Sequence, residues 1–107
     1  MSEPEDQAQI ARELAEELRR LKIEDVLIQT LVTVSALGYR RLGLTPETKD
    51  DRDLAQSKLA IETMSALTPV LENVVPPELV RDFNQSVASL QLAYAQAAAG
   101  EGADDEG

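Results

Sequence analysis

The chain has 107 residues, the length of one domain, and its 20 acidic and 10 basic side chains give a formal net charge of -10. It contains neither Cys nor His, which excludes disulfides, thiolate nucleophiles, imidazole acid–base chemistry and the usual zinc ligands. Hydrophobic residues make up 43% of the chain but aromatic residues only 3%, which predicts an aliphatic core and favours its completion by self-association.

Acidic side chains are concentrated at the two ends of the chain, where residues 1–6 and 101–107 together hold seven of them. Such runs are typical of solvated, disordered ends, and an interaction tail is the alternative. We therefore expect one helical domain over residues 7–99, with disordered acidic segments over 1–6 and 100–107. No secretion signal is evident and the longest uncharged run, residues 26–39, is shorter than the ~20 residues of a membrane span. We expect a cytoplasmic protein with no membrane partner.

The first predicted element is an amphipathic helix over residues 7–22. Its apolar stripe consists of Ile10, Leu14, Leu18 and Leu21, whose spacing places them on one face, while the opposite face is almost wholly charged. Because a single helix of this kind is unstable in water, the stripe needs a partner surface.

A second helix is predicted from about residue 24. Its segment 26–42 has apolar side chains on most sides, which predicts the most buried element of the fold. Neither Pro nor Gly separates it from the first helix; we favour a bend between two helices, and one continuous helix is the alternative. Gly38 either allows another helix to approach closely or is incidental, and Gly43 is the expected helix stop.

A third helix should follow the loop at residues 44–49. Asp50 or Asp51 is the expected N-terminal cap, with Asp53 adding a carboxylate in the first turn. Pro69 predicts a kink in this helix, or alternatively its end, because proline removes a backbone hydrogen bond. The expected inward-facing residues are Leu54, Ile61, Met64, Leu67 and Leu71.

The fourth helix should open at Pro77 and Glu78, since proline fits the first helical turn. Five apolar residues then recur at steps of three and four and form what we call the seam: Val80, Phe83, Val87, Leu90 and Tyr94. Core packing is the favoured interpretation, because so few heptads make a weak coiled coil, and a self-association interface is the alternative.

Motifs for catalysis or phosphate binding are absent from the sequence, which has no G-x-S-x-G turn, no G-x-G-x-x-G pattern and no Walker-type loop. The acidic groups at residues 13–17 and 50–53 are typical of a solvated surface, and the second lacks the Gly and the distal Glu of a calcium loop. The sequence therefore predicts a protein that is not an enzyme and has no catalytic residue, cofactor or metal site.

Several short patterns resemble a known family. They are Leu42-Gly43 with Pro46-Glu47-Thr48, the helix opening Asp53-Leu54-Ala55 that continues through Ile61 and Leu67, and the pattern Leu90-x-Leu92-x-Tyr94. On these residues the chain from about 23 to 94 resembles a bacterial family catalogued as domain of unknown function eighteen forty-four. The resemblance implies a short, all-helical bacterial protein with acidic ends, and it supplies no activity and no functional residue. The chain departs from the family pattern at Val75-Pro76-Pro77 and at Ala93, where a basic residue is typical.

The sequence as a whole predicts an all-α fold, a small antiparallel bundle of three or four helices. The favoured function is a noncatalytic bacterial protein that acts as a protein–protein interaction or scaffold module and forms a homodimer. The alternative is an RNA- or ribosome-associated factor that uses the basic residues near the helix ends: Arg19, Arg20, Lys22, Arg40 and Arg41. The net negative charge disfavours a nucleic-acid partner, because binding a polyanion requires a basic patch. A small-molecule pocket inside the bundle is the third hypothesis.

Overall fold

A computed structural model describes residues 3–106 of the chain, and their side chains as far as residue 100. Four α-helices account for most of these residues: α1 (Pro4–Arg20), α2 (Ile23–Arg40), α3 (Leu54–Leu67) and α4 (Pro77–Glu106). Two short 3-10 helices lie at Lys49–Asp51 and Thr68–Leu71, and residues 3–106 contain no strand. The predicted all-α helical bundle is therefore confirmed.

The core is formed by α2, α3 and α4, which pack against one another. The end of α2 meets the start of α3, where Ser57 Oγ donates a 3.0 Å hydrogen bond to the carbonyl of Gly38. Arg52, just before α3, donates a 2.9 Å bond to the carbonyl of Ala97 in the second half of α4. Each bond joins the start of α3 to the second half of a neighbouring helix, as expected for antiparallel packing. The most deeply buried apolar side chains of the described residues are Leu31, Leu42, Met64, Leu71 and Leu90.

Helix α1 lies outside this core. It buries none of its residues, and all four side chains of the apolar stripe are more than half exposed. The radius of gyration is 19.0 Å, whereas a compact chain of this length has a radius of about 13 Å. Among the described residues no surface covers the stripe, and the bundle core consists of three helices.

The junction between α1 and α2 confirms the favoured prediction of two separate helices. Leu21 and Lys22 both have extended backbone angles, with ψ values of 137° and 147°. No proline or glycine marks this break. The alternative of one continuous helix is wrong.

The prediction that the second helix is the most buried element is wrong. Only Leu31 and Gly38 of α2 are buried, whereas α3 buries four of its residues. Ile23 is 74% exposed and Leu37 is 51% exposed. The reason is that α3 and α4 cover one side of α2, while α1 leaves the other sides uncovered.

The start of α3 also differs from the prediction. Asp53 is the N-cap residue, and its carboxylate accepts a 3.3 Å hydrogen bond from the backbone N–H of Gln56. Asp50 and Asp51, the predicted caps, lie instead in the preceding 3-10 helix. Because residues 49–51 form that short helix, α3 begins two to three residues later than predicted, and its N-cap residue is Asp53.

Proline 69 does not kink a helix. Helix α3 ends at Leu67, and Pro69 occupies the first turn of the following 3-10 helix, where its missing N–H breaks no helical bond. The hydroxyl of Thr68 donates a 2.7 Å bond to the carbonyl of Met64 and so satisfies the last turn of α3. The alternative prediction, a helix that ends near Pro69, is the one that holds.

The helices reach into both segments that were expected to be disordered, since α1 begins at Pro4 and α4 continues to Glu106. Residues 1, 2 and 107 lie outside the described residues, as do the side chains of 101–106. Disorder of the acidic ends, and the domain limits 7–99, stay predictions.

Candidate interaction surface

The seam of α4 lies in the core of the chain. Val80, Phe83, Val87 and Leu90 are buried together, and Tyr94 packs half-buried against them. Each step of three or four residues along α4 brings the next seam residue onto the face that meets α2 and α3. The seam side chains are thus covered within one chain, and an interaction surface must be sought elsewhere.

One uncovered apolar feature is the stripe of α1. Ile10, Leu14, Leu18 and Leu21 are between 52% and 68% exposed; the first three lie within the 17 residues of α1 and Leu21 directly follows it. The opposite face of α1 carries charged and amide side chains, two of which form the exposed ion pair between Glu16 and Arg20 at 3.3 Å. An amphipathic helix with one apolar face is the form that docks into a groove or onto another helix.

A second uncovered apolar feature is a groove between α2 and α3, which we call the α2–α3 groove. Its two exposed leucines are Leu37 and Leu59, at 51% and 55% exposure. The groove is lined by Val34, Leu37, Gln56, Leu59, Ala60 and Thr63. No charged side chain lines it, so an apolar side chain could enter without desolvating a charge.

The two helices that form this groove, α2 and α3, approach each other closely at its base. An ideal Cβ at Gly38 would lie 2.9 Å from the Cβ of Ala60, so only glycine fits this crossing. Ser57 is fully buried, and its hydroxyl bonds to Gly38 across the two helices. Of the two interpretations of Gly38, the close approach of another helix is confirmed. The role of Ser57 was missed, because a serine in an apolar helix carries no signal that it faces another backbone.

Helix α2 separates the basic residues of the RNA alternative into two groups, one at the end of α1 and one at the end of α2. Arg40 pairs with the carboxylate of Asp51 at 2.8 Å, and Arg41 donates a 3.2 Å bond to the carbonyl of the same residue. Arg20 pairs with Glu16. Carboxylates and a carbonyl thus already engage three of the five cations. An RNA partner stays a prediction.

The buried polar side chains are hydrogen-bonded to the backbone of the helices. Ser57 and Thr68 are the buried polar residues among those described, and each hydroxyl donates to a helix carbonyl. Within the described part of the chain, no buried side-chain nitrogen or oxygen lacks a partner. No group of three or more acidic side chains there is placed to hold a metal ion.

Comparison with protein-family models found no matching family, and comparisons with curated proteins and with solved structures found no similar protein. The resemblance to the family of unknown function therefore stays a hypothesis. No helix among the described residues is both long enough and apolar enough to cross a membrane.

Proposed function

We propose that this chain is a noncatalytic protein–protein interaction or scaffold module of the bacterial cytoplasm, and that it self-associates as a homodimer. The observation that carries the proposal is the uncovered apolar surface of α1. A 17-residue helix whose apolar stripe is more than half exposed is marginal in water, because helices of this length draw their stability from packing. A partner protein that covers the stripe supplies that packing.

The charge of α1 favours a protein partner over a lipid or nucleic-acid partner. The polar face of α1 carries more acidic than basic side chains, whereas helices that lie on anionic membranes are rich in Lys and Arg. The same acidic character opposes a phosphate backbone. A protein surface with an exposed aliphatic groove satisfies the stripe without adverse charge.

Sedimentation equilibrium at micromolar protein tests the homodimer. We expect a mass of twice the 11.7 kDa of the chain. Far-ultraviolet circular dichroism on the same sample shows whether the chain is folded. A fully folded species with the mass of a single chain would overturn the proposal.

A further inference from the structure

We propose that α1 is an exchanged arm, whose apolar stripe packs into the α2–α3 groove of a second copy while the second copy returns the same contact. This inference rests on the homodimer of the proposed function and names its interface. The partner is a second copy of this chain, and the contact is reciprocal. The inference differs from a dimer made by the seam of α4, whose side chains are already buried within each chain.

Both halves of the contact are present on each chain, and both are uncovered. The stripe presents four aliphatic side chains that are each more than half exposed, and the groove presents Leu37 and Leu59, which are similarly exposed. Stripe and groove are chemically matched, since the first is aliphatic and the second is lined by apolar and uncharged side chains. Pairing them leaves no charge buried without a partner.

The geometry of the junction favours contact with another chain. Leu21 and Lys22 are the only residues between α1 and α2, and both have extended backbone angles. With this junction extended, α1 leaves the core instead of folding back along α2. The stripe can then reach the α2–α3 groove of a second copy without any change at the junction. Exchange of an identical element between two chains is a common route to a dimer.

Symmetry makes the assembly close at two chains. Each copy supplies one stripe and one groove, so a two-fold axis pairs both stripes with both grooves and leaves none over. A head-to-tail arrangement would leave one stripe and one groove free at its ends and could grow further. The exchanged dimer covers both stripes and both grooves with only two chains.

The exposed area of the chain is large enough for this interface. The accessible surface is 7844 Å², whereas a compact monomer of this mass exposes about 5,900 Å². The excess of about 1,900 Å² is greater than the ~800 Å² that each partner contributes to a standard protein–protein interface. The chain as a whole therefore exposes enough surface beyond that of a compact monomer for a dimer interface.

Because the natural chain has no cysteine, single cysteines can map the contact without background. Leu14→Cys places a thiol on the stripe, and Leu37→Cys and Leu59→Cys place thiols on the two sides of the groove. Differently tagged full-length chains are mixed in pairs, allowed to exchange and oxidised. Leu92→Cys is the matched control, because Leu92 is 62% exposed on α4 and lies in neither feature.

We expect disulfides between a Leu14→Cys chain and a Leu37→Cys or Leu59→Cys chain, and none between a Leu14→Cys chain and the control. If the protein is a dimer but only two Leu14→Cys chains become linked, α1 pairs with α1 and the exchanged arm is wrong while the homodimer stands. If a chain carrying both Leu14→Cys and Leu37→Cys closes on itself as a monomer, the arm folds back in its own chain. That result overturns both proposals.

A second measurement does not depend on crosslinking. Leu14→Glu and Leu37→Glu should each weaken the dimer by at least about thirty-fold, the effect of losing a central interface residue. Both positions are exposed in the single chain, so the bundle of α2, α3 and α4 should stay folded in each variant, while α1 loses helicity as the dimer dissociates. Leu92→Glu should leave the dissociation constant unchanged. Equal dissociation constants for the stripe variant and this control would overturn the exchanged arm.

Discussion

The crossing of α2 and α3 allows a sharp test, because Gly38 there cannot gain even a methyl group without moving a helix. In Gly38→Ala the new Cβ would lie 2.9 Å from the Cβ of Ala60 and 3.5 Å from a methyl group of Leu90. The distance to Leu90 is an ordinary van der Waals contact, but the Cβ of Ala60 is too close and is held by the backbone of α3. The two helices must therefore separate.

Three terms set the size of the effect. Replacing a helical glycine by alanine favours the helix by about 1 kcal/mol, and overpacking a well-packed crossing costs about 1–3 kcal/mol. Separation also weakens the 3.0 Å bond from Ser57 to Gly38, a bond that contributes about 0.5–1.5 kcal/mol. We expect a net loss of about 1–2 kcal/mol in the free energy of unfolding, which corresponds to a fall of about 5–10 °C in Tm.

Thermal and urea unfolding followed by circular dichroism measures this loss, at one fixed protein concentration because a dimer's Tm depends on concentration. Gly100→Ala is the matched control: Gly100 also lies in a helix, but nothing is within 4 Å of its Cβ position, so the variant should be no less stable than the natural chain. Gly38→Ala combined with Ala60→Gly restores a single Cβ at the crossing.

The free energy of unfolding of the double variant should exceed the value obtained by adding the two single effects, by about 1 kcal/mol or more. If Gly38→Ala unfolds at or above the midpoint of the natural chain, the close approach is not a constraint. If the two substitutions add within about 0.3–0.5 kcal/mol, the contact between these two residues does not cause the loss. Either result would refute the reasoning from the crossing.

Three further experiments test the core, the cap and the surface. Leu90→Ala, at a fully buried position, should lose about 2–5 kcal/mol in urea unfolding, whereas Leu92→Ala, at an exposed position, should change stability by less than about 0.5 kcal/mol. Asp53→Ala should cost about 0.5–2 kcal/mol and reduce helicity, because it removes the cap of α3; an unchanged midpoint would contradict that role. A double-mutant cycle on Arg40 and Asp51 should give a coupling of about 0.2–1 kcal/mol that shrinks with added salt; a coupling insensitive to salt would exclude a solvent-screened pair.

Much of the fold could be predicted from local patterns. The seam spacing identifies the buried face of α4, and Pro77 lies at the first residue of that helix, as predicted. The apolar stripe correctly defines one face of α1. These predictions succeed because the period of apolar residues and the missing N–H of proline act within a few residues of the chain.

The candidate interaction surface could be predicted only in part. The pattern predicts that the stripe needs a covering surface, but it does not predict the groove, since Leu37 and Leu59 belong to helices that sequence alone does not place side by side. The apolar composition of α2 even suggested the opposite, a helix buried on all sides. That prediction fails because composition counts apolar side chains without knowing which neighbours arrive to cover them.

The amino-acid sequence by itself determined which helices form and which face of each is apolar, because periodicity, caps and prolines act over one or two turns. Only the tertiary structure decided which of those faces are covered. Two extended residues, Leu21 and Lys22, direct α1 away from the core, and a single glycine at the crossing of α2 and α3 sets how closely those helices meet. A side chain is buried only when a distant part of the chain packs over it. No local pattern could therefore show that α1 and part of α2 stay exposed.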